Sequence, residues 1–493
     1  MSASREKKNR QIDQPLTEKQ RQEQLKAAAA KRNRVIYTVL GIVVAIAVIA
    51  LLVWDSGVIQ NASSRKTVAL TVGEQSYTTP YVDYFVNAYY QSYRQYGIVS
   101  SLNDSYGEGQ TWRDYFTEQA KETLTQLSIL CDQAAKEGYT LTDADKADVE
   151  TNYASYTTAA SQANMSEKSF LKTYYGANTT PELLRSILEM SALAASYETH
   201  WKEQQAFSDS DITAYYNENA NSLDTFSYDT ITINSSSADS EDEAAKTAAM
   251  EKAKEGADAI LAALESGEDV SALVEQYQAT ESTGLSGAGS SLSSSYAEFL
   301  QASGRQAGDA TVVENSASYT VVIFQGRTDY REVNGYLPAN VRHIFVEAEV
   351  SDGASEADEA QMAAAKAKAE ELLAEWKAGE ATADSFAALA EANSADAGSN
   401  TNGGLYEGLT KTVSFIPNFL DWTFEDGRQV GDTGIVENTQ SSAHGYHVMY
   451  LDSYGDTPVW KTSITTTLRN TAFTEWYEAL EASYTITDGS QAN

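Results

Sequence analysis

The chain has 493 residues, 42% hydrophobic and 10% aromatic, a composition that folds, at a length that calls for about three domains. The formal net charge is −35, and it is unevenly spread: residues 1–34 hold ten Lys/Arg against four Asp/Glu, leaving 25 against 66 for the remainder. So acidic a body repels phosphate backbones, which argues against nucleic acid as a partner.

Residues 1–34 are polar and Gln-rich and read as a disordered or loosely helical tail. The next twenty residues, 35–54 (VIYTVLGIVVAIAVIALLVW), carry no formal charge. At about 1.5 Å per residue they can cross a hydrocarbon core of roughly 30 Å. Lys31, Arg32 and Arg34 precede this span and nothing comparable follows it, so the expectation is a single-pass anchor with the tail in the cytoplasm and the bulk outside. A cleaved signal peptide is the competing reading; the long polar lead and the long apolar run favour the anchor. Cys131 is the only cysteine, so no intramolecular disulfide forms, and its helical context suggests a buried, inert thiol.

Residues 65–206 read as a helical domain opened by a short strand and a turn. Phe116, Ala120, Leu124, Leu127 and Leu130 recur at helical spacing, Gly138 closes that helix, and Thr180-Pro181 starts another. Residues 207–335 and 336–455 look like two copies of one unit: GRQAGD (304–309) matches GRQVGD (427–432), VVEN matches IVEN, and SYTVVIF (318–324) matches GYHVMYL (445–451). Each copy reads as strand, Ala/Glu-rich helix, short helix, glycine-rich loop, helix and two strands, an α+β unit. Residues 456–493 read as a helical segment, expected to pack back on the helical domain.

Three of the four histidines, His343, His444 and His447, fall in the second copy. His343 (VRHIFV) and His447 (GYHVMYL) lie in strands, His444 in a loop. A strand pair of this kind also fits a satisfied, purely structural contact. HGYH has the HxxH form of a metal site, but a glycine turn entering a strand lacks the helical geometry of such pairs, so neither metal nor cofactor is expected. Trp422 and Phe424 read as core anchors. The acidic run 347–360 reads as a solvated loop with a helix N-cap at Ser355.

VRHIFV, the helix AQMAAAKAKAEELLAEWKAG, FAALAEANSADAGSNTNGGLYEG, FIPNFLDWTF and GDTGIVENTQSSAHGYHVMYL together resemble, in order and spacing, the rotamase domain of the parvulin peptidyl-prolyl cis/trans isomerases, over residues 340–453. More loosely, the helical region and anchor resemble the extracytoplasmic foldases of the PrsA and SurA kind. The resemblance implies an α+β protein with a helical chaperone-like domain and two parvulin-like domains, the first degenerate, preceded by one transmembrane helix. It implies a catalytic group of His343, Asp396 and His447. Leu405, Phe415 and Phe419 would form the apolar wall for the proline ring, with Ile416 beside them and Ser442 helping to order the histidines. Here VSFI (413–416) replaces the usual Gly-Gln-Met-Val, so an amide donor is lost while the apolar character stays. The implied function is prolyl isomerisation of secreted or cell-envelope proteins after translocation, on unfolded or proline-containing clients. A non-catalytic holdase and a membrane-tethered scaffold are the alternatives. In the first copy Thr320, Thr280 and Tyr296 stand at the positions of His447, Asp396 and Phe419, so activity is expected in the second copy alone.

Overall fold

The computed structural model describes residues 67–235, 242–350, 356–438 and 443–489. The expected tail, the membrane span at 35–54, Ser355 and Ser442 lie outside these residues. Among the described residues no helix is long and apolar enough to cross a membrane. The chain divides into two compact units, one of residues up to Ala206 together with those from Leu468 on, the other Phe207–Thr467.

The first unit opens with β1 (Val68–Val72), turns at Gly73 and returns as β2 (Gln75–Thr78), a second strand where the sequence suggested only one. β1 also pairs with the terminal strand Ile486–Asp488. A short hairpin, β3 (Ser105–Gly107) and β4 (Gln110–Thr111), precedes the helix Trp112–Lys136. Thr111 caps that helix, exchanging hydrogen bonds with Asp114, which satisfies amides that have no partner within the first turn. Phe116, Ala120, Leu124 and Leu130 are buried on one face, and Gly138, at φ +67°, stands just past the helix end. Thr180 caps the helix Pro181–Gln204. Leu130, Ala194 and Tyr197 are buried together with Phe473 of the C-terminal helix, so these segments share one core.

The second unit contains two four-stranded antiparallel sheets, as an α+β protein requires. The first sheet has the order β6-β5-β8-β7, from β5 (Thr225–Asn234), β6 (Thr280–Ala288), β7 (Ala310–Asn315) and β8 (Ser318–Thr328). The second has the order β10-β9-β12-β11, from β9 (Ala339–Glu347), β10 (Leu405–Leu409), β11 (Thr433–Asn438) and β12 (Gly445–Tyr454). The topologies are identical. In both copies a strand occupies what the sequence suggested was only a glycine-rich loop; Gly284 and Gly408, both at positive φ, stand where the pairing of that strand shifts register.

The GRQ-x-GD motif explains part of the internal repeat. Arg305 lies over the Phe299 ring at 3.8 Å and its Nε donates to the Phe299 carbonyl; Arg428 lies over Trp422 at 4.1 Å and its Nε donates to the Trp422 carbonyl. The amides of Gln306 and Gln429 donate to Asp309 and Asp432 respectively, closing the same turn before the last hairpin. The motif thus clamps the short helix against the sheet in each copy.

Helices Glu359–Ala378 and Ala383–Asn393 cover one face of the second sheet, burying Ile344, Val448 and Tyr450 with Leu372, Trp376 and Phe386. The helix Glu359–Ala378 is capped by Asp358 in a reciprocal pair with Gln361, not by Ser355: Asp358 has the carboxylate one residue before the first helical amides. The short helix Pro417–Thr423 covers the opposite face, which carries Val341, His343, Phe345, His447 and Met449 by the two-residue period of the strands.

Candidate functional site

β9 and β12 place His343 diagonally from His447: His343 pairs with Met449, and His447 with Phe345, so both rings rise from the same face of the sheet. Both are buried, at 2% and 3% exposure. Their Nδ1 atoms are 2.9 Å apart, so one ring donates to the other. On its far side His343 directs Nε2 at Asp396 Oδ2 and at Ser399 Oγ, each 3.0 Å away. A carboxylate only accepts, so Nε2 carries the proton.

Asp396 comes from the loop after the helix Ala383–Asn393. The Ala395 amide donates to the Phe345 carbonyl at 2.9 Å and the Ser394 hydroxyl receives the Phe345 amide, fastening that loop to β9. Asp396 Oδ2 also receives the Ser399 hydroxyl and, at 2.9 Å, that of Tyr406; Oδ1 receives the Gly398 amide. Burial works against the charge, but the bonds from His343, Ser399 and Gly398 win, and the carboxyl is held well below its usual range. Burial next to Asp396 drives the Tyr406 phenol upward, so it stays a donor. His447 is lowered to about 3, first by burial and then by the neighbouring His343, with Asp396 partly opposing. Its Nε2 is buried with no hydrogen-bond partner among the described residues.

Beside this chain of polar groups stands an aromatic wall. Phe419, fully buried, meets the edges of His343 and His447 at 5.4 and 5.6 Å between centroids. Phe415 packs at 4.9 Å on Phe419 and at 5.0 Å on Tyr406, and Ile416 joins the same cluster. The expected wall residue Leu405 does not belong to it. Leu405 pairs with Arg342 and Tyr406 with Val341, so alternation gives Tyr406 the face of His343 and turns Leu405 to the other. Gly404 makes this join possible. It sits at φ +70°, and a Cβ there would come 2.1 Å from the His343 carbonyl oxygen.

His343, His447, Asp396, Phe415, Ile416 and Phe419 are therefore brought together, and Ser442 lies outside the described residues. Sequence reasoning missed Ser399 and Tyr406. Ser399 stands three residues after Asp396, the spacing at which a side chain folds back in a turn; Tyr406 was one register step away. His444 is in the loop before β12, where its carbonyl receives the Ala348 amide. Among the described residues no group of three His, Cys, Asp or Glu side chains is placed to share a metal ion.

The first copy lacks this arrangement. By register Thr230 stands where His343 does, and Thr320, facing Thr232, stands at the His447 position, the two hydroxyls 3.1 Å apart. The chain that loops out to carry Asp396 and Ser399 in the second copy enters β6 directly at Thr280 in the first.

The family model described as PPIC-type PPIASE domain matches residues 328–452, which span the second sheet and its site. No curated protein matches the chain. Residues 328–452 are thus a parvulin-type PPIase domain.

Proposed function

We propose that the protein is a peptidyl-prolyl cis/trans isomerase that acts on secreted or cell-envelope polypeptides, held at the membrane by residues 35–54 with its bulk outside. The observation that carries the isomerase reading is the Asp396–His343–His447 chain set against the Phe415–Phe419 wall within a PPIC-type domain. Rotation about a peptide C–N bond meets a barrier of about 18–20 kcal/mol, because resonance gives the bond double-bond character. The twisted amide has lost that resonance and is less polar, so an apolar wall that grips the proline ring favours it over the planar amide. No nucleophile is needed; the buried polar chain keeps the wall and the histidines in one geometry.

The test is a protease-free X-Pro peptide assay on the full chain. We expect H343A and D396A to lower kcat/KM at least tenfold, while Thr320→Ala in the first copy leaves it within twofold, corresponding to about 1.4 kcal/mol or more against less than half that. Equal losses from both copies would sink the reading. The anchored topology is tested separately: protease added outside intact cells should cut beyond residue 60 and spare residues 1–34. Release of the mature chain by signal peptidase would overturn it.

A second reading, a holdase that binds unfolded chains without catalysis, draws support from the first copy, which keeps the sheet but not the histidines. Suppression of client aggregation by a chain inactive towards X-Pro peptides would favour it.

A further inference from the structure

We propose that Tyr406 is a positioning residue for this site, its hydroxyl fixing Asp396 against His343 while its ring completes the wall beside Phe415. The proposal rests on the isomerase reading and adds a residue to it.

Three observations carry it. First, the register: Tyr406 opposes Val341 and so shares the face of His343, whose ring lies 5.3 Å away, tilted by 31°. Second, the hydrogen bonding. A wall for a proline ring needs no hydroxyl, yet Tyr406 donates at 2.9 Å to the one carboxylate oxygen that also receives His343. With Ser399 on the same oxygen and the Gly398 amide on the other, Asp396 is gripped from four directions. Third, exposure: His343 and Ser399 are buried, whereas the Asp396 side chain keeps 23% of its surface. Tyr406, half-buried, closes the carboxylate on the side of the aromatic cluster. Without its hydroxyl, Asp396 could rotate away from His343, and the proton on Nε2 would lose its fixed acceptor. The Nδ1 of His343 would then no longer be a dependable partner for His447.

The same side chain therefore does two separable things. The phenol oxygen orders the polar chain, and the ring shapes the wall. Tyr406→Phe removes the first alone; Tyr406→Leu removes both.

The experiment uses the full chain with 15N-labelled histidine, of which there are four. At pH 7.5 the exchange of the His343 ring N–H with water is measured for wild type, Y406F and Y406L, and kcat and KM for an X-Pro peptide are measured on the same samples. In Y406F we expect exchange to quicken about fivefold or more and kcat to fall severalfold, with KM moving less than twofold. In Y406L we expect the same exchange and a KM raised severalfold besides. Unchanged ring exchange in Y406F overturns the proposal, as does a KM effect without a kcat effect. If Y406F quickens exchange but the wild-type chain has no isomerase activity, the isomerase reading fails, while the coupling of Tyr406 to Asp396 and His343 survives.

Discussion

Lowering the pH from 7 to 4.5 should loosen the second sheet in a way that traces to His447. In the folded chain this ring is lowered to about 3, mainly because burial at 3% exposure penalises the cation and secondarily because His343 lies against it. In the unfolded chain it protonates near its ordinary 6.5. The unfolded state therefore takes up a proton that the folded state refuses. The stabilisation is complete above about 6.5 and is lost progressively as the pH falls from there toward about 3. At about 1.4 kcal/mol per pH unit, the two units between 6.5 and 4.5 amount to a loss on the order of 2–3 kcal/mol. Asp396, also lowered, keeps its stabilisation above the ordinary carboxyl range near 3.8 and loses it only below, so it does not confuse this window. Amide hydrogen exchange in β9 and β12, corrected for the intrinsic effect of pH, reads the quantity locally. The comparison is with His447→Thr, which installs the residue found at that register in the first copy. Wild type should lose on the order of 2–3 kcal/mol more protection than the variant between pH 7 and 4.5. Parallel losses in the two chains would show that burial of the neutral ring is not what the pH acts on.

Gly404→Ala should cost on the order of 2–4 kcal/mol, since it combines an unfavourable φ of +70° with a 2.1 Å approach to the His343 carbonyl. Gly427→Ala, at φ +85° but in open space, should cost about 1 kcal/mol, and thermal unfolding compares them. Phe419→Ala empties a fully buried site in contact with both histidines and should cost about 3–5 kcal/mol, whereas the half-buried Phe415→Ala should cost much less and show chiefly as a raised KM. Substrate charge is a third test. From the end of β9 onward the chain carries Glu347, Glu349, Asp352, Glu356, Asp358 and Glu359 with no Lys or Arg before Lys366, so phosphoserine-Pro peptides should be poorer substrates than Ala-Pro. Lys-Pro should gain at most about 1 kcal/mol, shrinking as salt rises; best turnover of phosphoserine-Pro would refute the electrostatic argument.

Much of this molecule is written locally and could be read from the sequence. The cap at Thr180 follows from residue type at a helix start, because a side-chain oxygen there meets amides that the helix cannot satisfy. The internal repeat shows because GRQ-x-GD recurs with the same turn and the same arginine-on-ring contact to build. The strands of His343 and His447 show through their β-branched and apolar neighbours. What pattern cannot carry is register. Strand side chains alternate with period two, so an error of one residue exchanges the faces, and this alone separates Leu405 from Tyr406. Nor could pattern show β6, whose Gly, Ser and Thr residues display no apolar alternation, or β10, which is only five residues long with Gly408 inside it; the strands form because β5 and β9 offer their edges. Ser399 enters the site only because a loop is fastened to β9 by the bonds between Phe345 and the pair Ser394 and Ala395. Sequence by itself determined which residues could serve: two strand histidines, a carboxylate and several aromatic rings. Tertiary structure decided which of them meet, which nitrogen of His343 carries the proton and why His447 stays neutral, because burial and hydrogen-bond geometry arise only when distant segments close on one another.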